Sequence, residues 1–105
     1  MNGKDLHQLL LDKWGKSYDV RLRRVRGQIL VQIMWKYLEQ ASFPLTEAEY
    51  FENLEAIATY INGFGATAQI EADLKKTNER PRLGKTVNIP VELGDRASEW
   101  LLEEL

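Results

Sequence analysis

The amino-acid sequence predicts one small α+β domain, in the order α-β-β-α-β with a C-terminal helix, its mainly antiparallel sheet covered by helices. Three observations carry that expectation. Tyr18, Val20 and Leu22 alternate with Asp19, Arg21 and Arg23, the period of two that a half-buried strand requires. Thr46 and Glu49 stand three apart between Leu45 and Tyr50, a capping box with a hydrophobic staple that marks a helix start. The chain has 105 residues, 44% of them apolar, which is enough for one core and too little for two domains.

The first helix is expected over residues 3–14. Asn2 caps it with Asp5 three positions on, Gly15 suits the left-handed position past its end, and Leu6, Leu9, Leu10 and Trp14 share a face. A β-hairpin follows, with Gly27 in its turn. The alternation slips at Arg23-Arg24-Val25, which predicts a bulge or a twist there. Ile29 to Trp35 is apolar on both faces, so this strand is expected inside the sheet and covered on both sides.

The second helix is expected to run from its Thr46 cap to about Asn62, burying Tyr50, Leu54, Ile57, Ala58 and Ile61, and to stop at Gly63 and Gly65. In residues 66–76, Ala66, Ala68, Ile70, Ala72 and Leu74 alternate with polar residues. Ile70 and Leu74 also suit a helix, and alanine favours one, but the two preceding glycines announce a change of element. The segment is therefore expected as a third strand, antiparallel beside the first. Pro81 and Pro90 keep residues 77–94 extended, with a short edge strand at Thr86–Val91. Asp95 caps a last helix that carries Ala97, Trp100, Leu101 and Leu105.

The absence of cysteine excludes disulfides, thiolate metal sites and cysteine nucleophiles, and points to a reducing compartment. No apolar run approaches the roughly 18–20 residues that span a bilayer. The opening Met1-Asn2-Gly3-Lys4-Asp5 has neither the apolar stretch of a signal peptide nor the basic, acid-poor character of a transit peptide, so a cytoplasmic protein, or a mature one already processed, is expected.

The net charge of −2 hides strong segregation. Residues 1–36 hold eight Lys/Arg against three acids, and residues 37–74 hold seven acids and no Lys/Arg. Residues 75–91 hold five Lys/Arg against one acid, and residues 92–105 one against five. Pairing of these blocks within the fold is the first expectation, and exposed poles of opposite sign the second.

Few residues suggest chemistry. Leu83-Gly84-Lys85-Thr86 resembles the end of a phosphate-binding P-loop, but Glu79 stands where the first glycine belongs and Pro90 forbids the following helix. His7 is the single histidine and lies one position off an apolar stripe, so a solvated or half-covered side chain is expected rather than a zinc ligand. Ser17, Ser42 and Ser98 lack a nucleophile-elbow context. Glu47, Glu49, Glu52 and Glu55 decorate the first half of a helix, where its dipole favours acids. Trp14, Trp35, Tyr50 and Trp100 are expected in the core. No cofactor is expected.

The basic residues are the candidate binding site. Arg21 and Arg23 share one strand face, and Arg80, Arg82 and Lys85 sit in a loop stiffened by Pro81. Brought together, they would form a patch for phosphate or acidic protein. A nucleic-acid binder usually has a basic domain with exposed stacking aromatics, whereas the pI here is about 5.4. A protein partner is the better expectation.

Several stretches together resemble a known family. They are Leu9-Leu10-Leu11-Asp12-Lys13-Trp14-Gly15, Met34-Trp35-Lys36-Tyr37-Leu38-Glu39-Gln40, Ser42-Phe43-Pro44-Leu45-Thr46-Glu47-Ala48-Glu49-Tyr50, and Arg80-Pro81-Arg82-Leu83-Gly84-Lys85 followed by Val87-Asn88-Ile89-Pro90. The chain is similar, over nearly its whole length, to a small domain-of-unknown-function family of cyanobacteria and plastids. The resemblance brings no catalytic residues. It implies a setting: an oxygenic phototroph, in the cytoplasm or the plastid stroma. The expectation is a non-enzymatic interaction module, an accessory or assembly factor near the photosynthetic machinery. Binding of nucleic acid or a phosphorylated ligand by the same basic surface is the alternative, and an enzyme with unrecognised carboxylates is the third.

Overall fold

The computed structural model describes residues 1–93; the helix expected after Asp95 lies outside the described residues. Helix α1 (Gly3–Trp14) is closed at both ends as its sequence requires. The Asn2 side chain accepts from the Asp5 N–H, the Asp5 carboxylate accepts from the Asn2 N–H, and Gly15 takes the left-handed conformation at φ 75°.

Strands β1 (Tyr18–Val25) and β2 (Gln28–Tyr37) form an antiparallel hairpin. Arg26 and Gly27 connect them with φ of 53° and 76°. Two consecutive positive φ values are those of a type I′ turn, whose twist matches that of the strands it joins. The irregularity in the ladder lies between Tyr18 and Val20, not at Arg23-Arg24-Val25, where the pairing runs on without a break to Val25 opposite Gln28. The expected bulge is thus misplaced: the two-residue turn fixes the register at that end and pushes the mismatch to the far end of the strand.

Helix α2 (Glu47–Phe64) starts at the expected capping box. It buries the five expected residues and Phe64 as well. It passes through Gly63 and ends at Gly65, where φ is 73°. A further helix follows at once. Residues expected as a third strand form α3 (Thr67–Lys76). Burial explains the difference, for Ala66, Ile70 and Leu74 are enclosed at a spacing of four while Ala68 and Ala72 are exposed. The alternation existed only because alanine counts as apolar; the large side chains keep helical spacing.

The third strand is β3 (Val87–Pro90), inside the expected Thr86–Val91 segment. It pairs antiparallel with β2, Val31 opposite Ile89 and Ile33 opposite Val87, so the order is β1-β2-β3. Strand β2 is the inner strand as expected, and β1 is left as an edge.

One sheet face joins the core. Val20, Ile29, Val31, Ile33, Val87 and Ile89 pack in one cluster with Leu6 and Leu10 of α1, Leu54 and Ile61 of α2, and Ile70 and Leu74 of α3. Helix α1 packs on α2, α2 reaches β1, and α3 touches α1, α2 and β3. The other face carries Arg21, Arg23, Leu30, Gln32, Met34 and Asn88, and none of these belongs to the core cluster. No described helix packs there, against the expected cover on both sides.

Candidate functional site

Among the described residues the sheet has one covered face and two edge strands, β1 and β3, and two surfaces follow, at the open face and at the β1 edge. The first is the uncovered face. Alternation along β1 turns Arg21 and Arg23 onto it because Val20 and Leu22 turn toward the helices. Gln32 on β2 donates to the Asn88 Oδ1 on β3 at 3.0 Å, and Thr86 reaches the Met34 sulfur at 3.8 Å. The first contact joins β2 to β3, and the second ties the loop ahead of β3 to β2.

Arg80, Arg82 and Lys85 lie in that loop, which closes on itself by paired backbone hydrogen bonds between Arg82 and Lys85 of 3.1 and 2.7 Å. The five basic candidates therefore do not converge at one point. Strand β2 stands between them, and two strand spacings amount to about 10 Å. They flank the face rather than form a pocket.

Among the described residues the acidic and basic blocks form no ion pair with each other, whereas pairing was the first expectation. Two ion pairs occur among the described residues, Arg21 with Asp19 at 3.5 Å and Lys85 with Glu79 at 3.8 Å, each inside one basic block. The carboxylates of α2 act locally instead. Glu49 closes the capping box, and the Thr46 backbone and hydroxyl that donate to it hold its pKa below the usual carboxylate range. Glu55 accepts from the Gly3 N–H at 2.8 Å, which ties α2 to the start of α1.

The second surface is a cleft of about 480 Å³ between α2 and the edge of β1. At the start of β1 the helix seals the strand: Tyr50 donates to the Tyr18 carbonyl at 2.8 Å and Asn53 to the Val20 carbonyl at 2.9 Å. Farther along, the two elements part. Leu22, Leu45, Ile57 and Tyr60 wall the gap, and Asp19 lines it. Tyr50 is fully buried, and that burial, together with the negative charges of Glu39 and Asp19, pushes its phenol pKa far up.

Sequence reasoning missed Asp19, Asn53 and Tyr60. Asp19 sits at an alternation position that reads as solvent-facing, yet it is only 6% exposed, because the register shift beside it turns it under α2. His7 is half-buried as expected, hydrogen-bonded to the Ser17 hydroxyl at 2.8 Å and edge-on to Phe51. Among the described residues no three His, Asp or Glu side chains gather as metal ligands, and no helix is long and apolar enough to cross a membrane.

The molecule so defined is a single α+β domain with a three-stranded antiparallel sheet whose described helices pack on one face. The chain belongs to the family described as Domain of unknown function DUF3067, whose model matches residues 4–101. Among solved structures it is similar to the Alr2454 protein from the cyanobacterium Nostoc sp. strain PCC 7120, determined in solution by NMR. The two are 57% identical, the match covers 99% of this chain and 100% of that one, and the TM-score is 0.88. No curated protein matches the chain.

Proposed function

We propose that this chain is a non-enzymatic protein-interaction module, an accessory or assembly factor of an oxygenic phototroph, that presents its uncovered sheet face to an acidic partner protein. The observation that supports this is the separation of the basic residues across that face. Arg23, Arg80 and Arg82 are exposed and form no ion pair with another described residue. The backbones of the two flanks stand about 10 Å apart across β2. A protein interface of roughly 800 Å² per partner spans both with ease. The cyanobacterial relative and the family resemblance support the setting, in the cytoplasm or the plastid stroma.

The test is capture of partners from phototroph lysate by the full chain, with Arg21→Glu/Arg23→Glu and Arg80→Glu/Arg82→Glu variants alongside. The expected result is an acidic partner held by the wild type, lost in rising salt and weakened roughly tenfold or more by either variant. A partner indifferent to both variants removes this surface from the reading. A chain ended after Leu93 that binds the same partner more tightly would instead give the face to the chain's own acidic end. Polarisation assays with single-stranded nucleic acid and inorganic phosphate run in parallel, and salt-sensitive nucleic-acid binding would replace the protein partner.

A further inference from the structure

The edge of β1 and the cleft beside it form a second surface, which meets the basic face at Arg21. We propose that this cleft accepts an extended peptide segment bearing a lysine or arginine, added as a fourth strand on β1. Three observations converge on that occupant.

The first is backbone chemistry. Among the described residues strand β1 is an edge of the sheet, since β3 pairs on the opposite side of β2. The type I′ turn makes Val25 and Gln28 a hydrogen-bonded pair, so by alternation Arg23 and Arg21 point their amides and carbonyls at β2. Leu22, like Tyr18 and Val20, then points its own outward. The Tyr18 and Val20 carbonyls are taken by Tyr50 and Asn53 of α2. Leu22 has no such partner among the described residues, and it lies where the cleft opens. An outward N–H and C=O on an open strand edge is the template that strand addition uses.

The second is the side-chain surface. Leu22, Leu45 and Ile57 give the cleft an apolar wall, and Tyr60 is 46% exposed at its rim, stacked on Phe64. Alternate side chains of an added strand point to the same side, so one can lie on this wall while its neighbours face solvent.

The third selects charge. Asp19 lines the cleft with a side chain 8% exposed. Its Oδ2 receives one long contact, 3.5 Å from the Arg21 Nε, and its Oδ1 receives no hydrogen bond. An ionised carboxylate has room for about four donors, so this one is under-filled where water is largely shut out. Glu49 and Glu52, one turn before Asn53 and Ala56 on α2, add exposed negative charge to the same helix face. Arg21 is held loosely, with 61% of its side chain exposed, and an incoming cation can take its place.

The probe is a fluorescein-labelled decapeptide of alternating lysine and valine, followed by anisotropy and by amide chemical-shift mapping on the full chain. Controls are the glutamate-valine peptide, the lysine-valine peptide N-methylated at alternate residues, and lysine amide alone. The expected outcome is binding that shifts the amides of Asp19 to Leu22 and of Asn53 to Tyr60. N-methylation weakens it tenfold or more without any change to the protein, and Asp19→Asn does the same. A Leu45→Ser variant, which spares the carboxylate and the strand, weakens it as well. No binding at millimolar peptide overturns the proposal. So do equal affinity of the N-methylated peptide, equal occupancy by lysine amide, which would make the cleft a small-cation site, and shifts confined to the basic face.

Discussion

Gly3 decides how closely the first two helices approach, and its replacement by alanine is expected to act against helix propensity. At the first turn of a helix an alanine would ordinarily stabilise by up to about 1 kcal/mol over glycine. Here a Cβ on residue 3 would lie 2.9 Å from the Glu55 backbone nitrogen, 3.1 Å from its Cα and 3.0 Å from its Oε2. The carboxylate can swing away, but the α2 backbone cannot. Relief must come from sliding α1 on α2, the contact that holds Leu6 and Leu10 against Leu54 and Ile61.

Overpacking of this kind costs about 1–3 kcal/mol. It also endangers the 2.8 Å hydrogen bond from Gly3 to Glu55. Against the propensity gain, the net expectation for Gly3→Ala is a loss of about 1–2 kcal/mol. In a domain of this size that is a fall in Tm of roughly 4–15 °C. Thermal unfolding followed by far-ultraviolet circular dichroism measures it, with Glu55→Gln as the companion that weakens the hydrogen bond and leaves the backbone contact alone. A Tm for Gly3→Ala at or above that of the wild type would refute the close approach of the two helices.

Tyr50→Phe keeps the ring and strands the buried Tyr18 carbonyl, so a loss of about 1–3 kcal/mol in urea unfolding is expected. The folded phenol has its pKa raised, so the folded state binds the extra proton, and the stability tied to it is lost as pH climbs above about 10; the phenylalanine variant should lack that part of the alkaline decline. Thr46→Ala removes the α2 cap for about 1 kcal/mol. Because Glu49 has its pKa lowered when folded, its contribution is present at neutral pH and fades as pH falls through the carboxylate range, and Thr46→Ala should flatten that acid limb. Arg26→Asn places a residue tolerant of left-handed backbone at φ 53° and is expected to raise stability by about 0.5–1 kcal/mol, read from the urea midpoint.

Local signals in this chain were legible where the side chain that makes the signal also makes the structure. Asn2 with Asp5, Thr46 with Glu49 and Gly15 act within a turn of themselves, so α1 and the start of α2 are readable from sequence. Residues 66–76 were not, because four small steps of alternation came from alanines whose burial is decided by packing alone. Gly3 gave no sign of its role, since a glycine at a helix start looks the same whether or not another backbone lies 2.9 Å from its missing Cβ. Asp19 was hidden for a related reason. One irregular step between Tyr18 and Val20 turns a solvent position into a buried one, and nothing in the residue types around it announces that step.

The misread segment is also what separates the two surfaces. Had residues 66–76 formed a strand beside β1, the sheet would have had no free edge there, and the gap beside α2 would have been filled. As a helix, α3 joins the core from the same side as α1 and α2, and the sheet gains its third strand on the far side of β2. Two surfaces then remain with opposite demands. The basic face offers exposed cations on both sides of β2 and suits a broad acidic surface, whose binding should fall steeply with salt. The β1 edge offers a backbone donor and acceptor and a mostly enclosed carboxylate, so strand pairing there should be far less sensitive to salt than contacts on the open face. Salt titration of any partner found therefore distinguishes the surfaces before a single residue is changed: affinity that collapses between low and physiological salt belongs to Arg21, Arg23 and the Arg80–Lys85 loop, and affinity that persists belongs to Leu22 and Asp19.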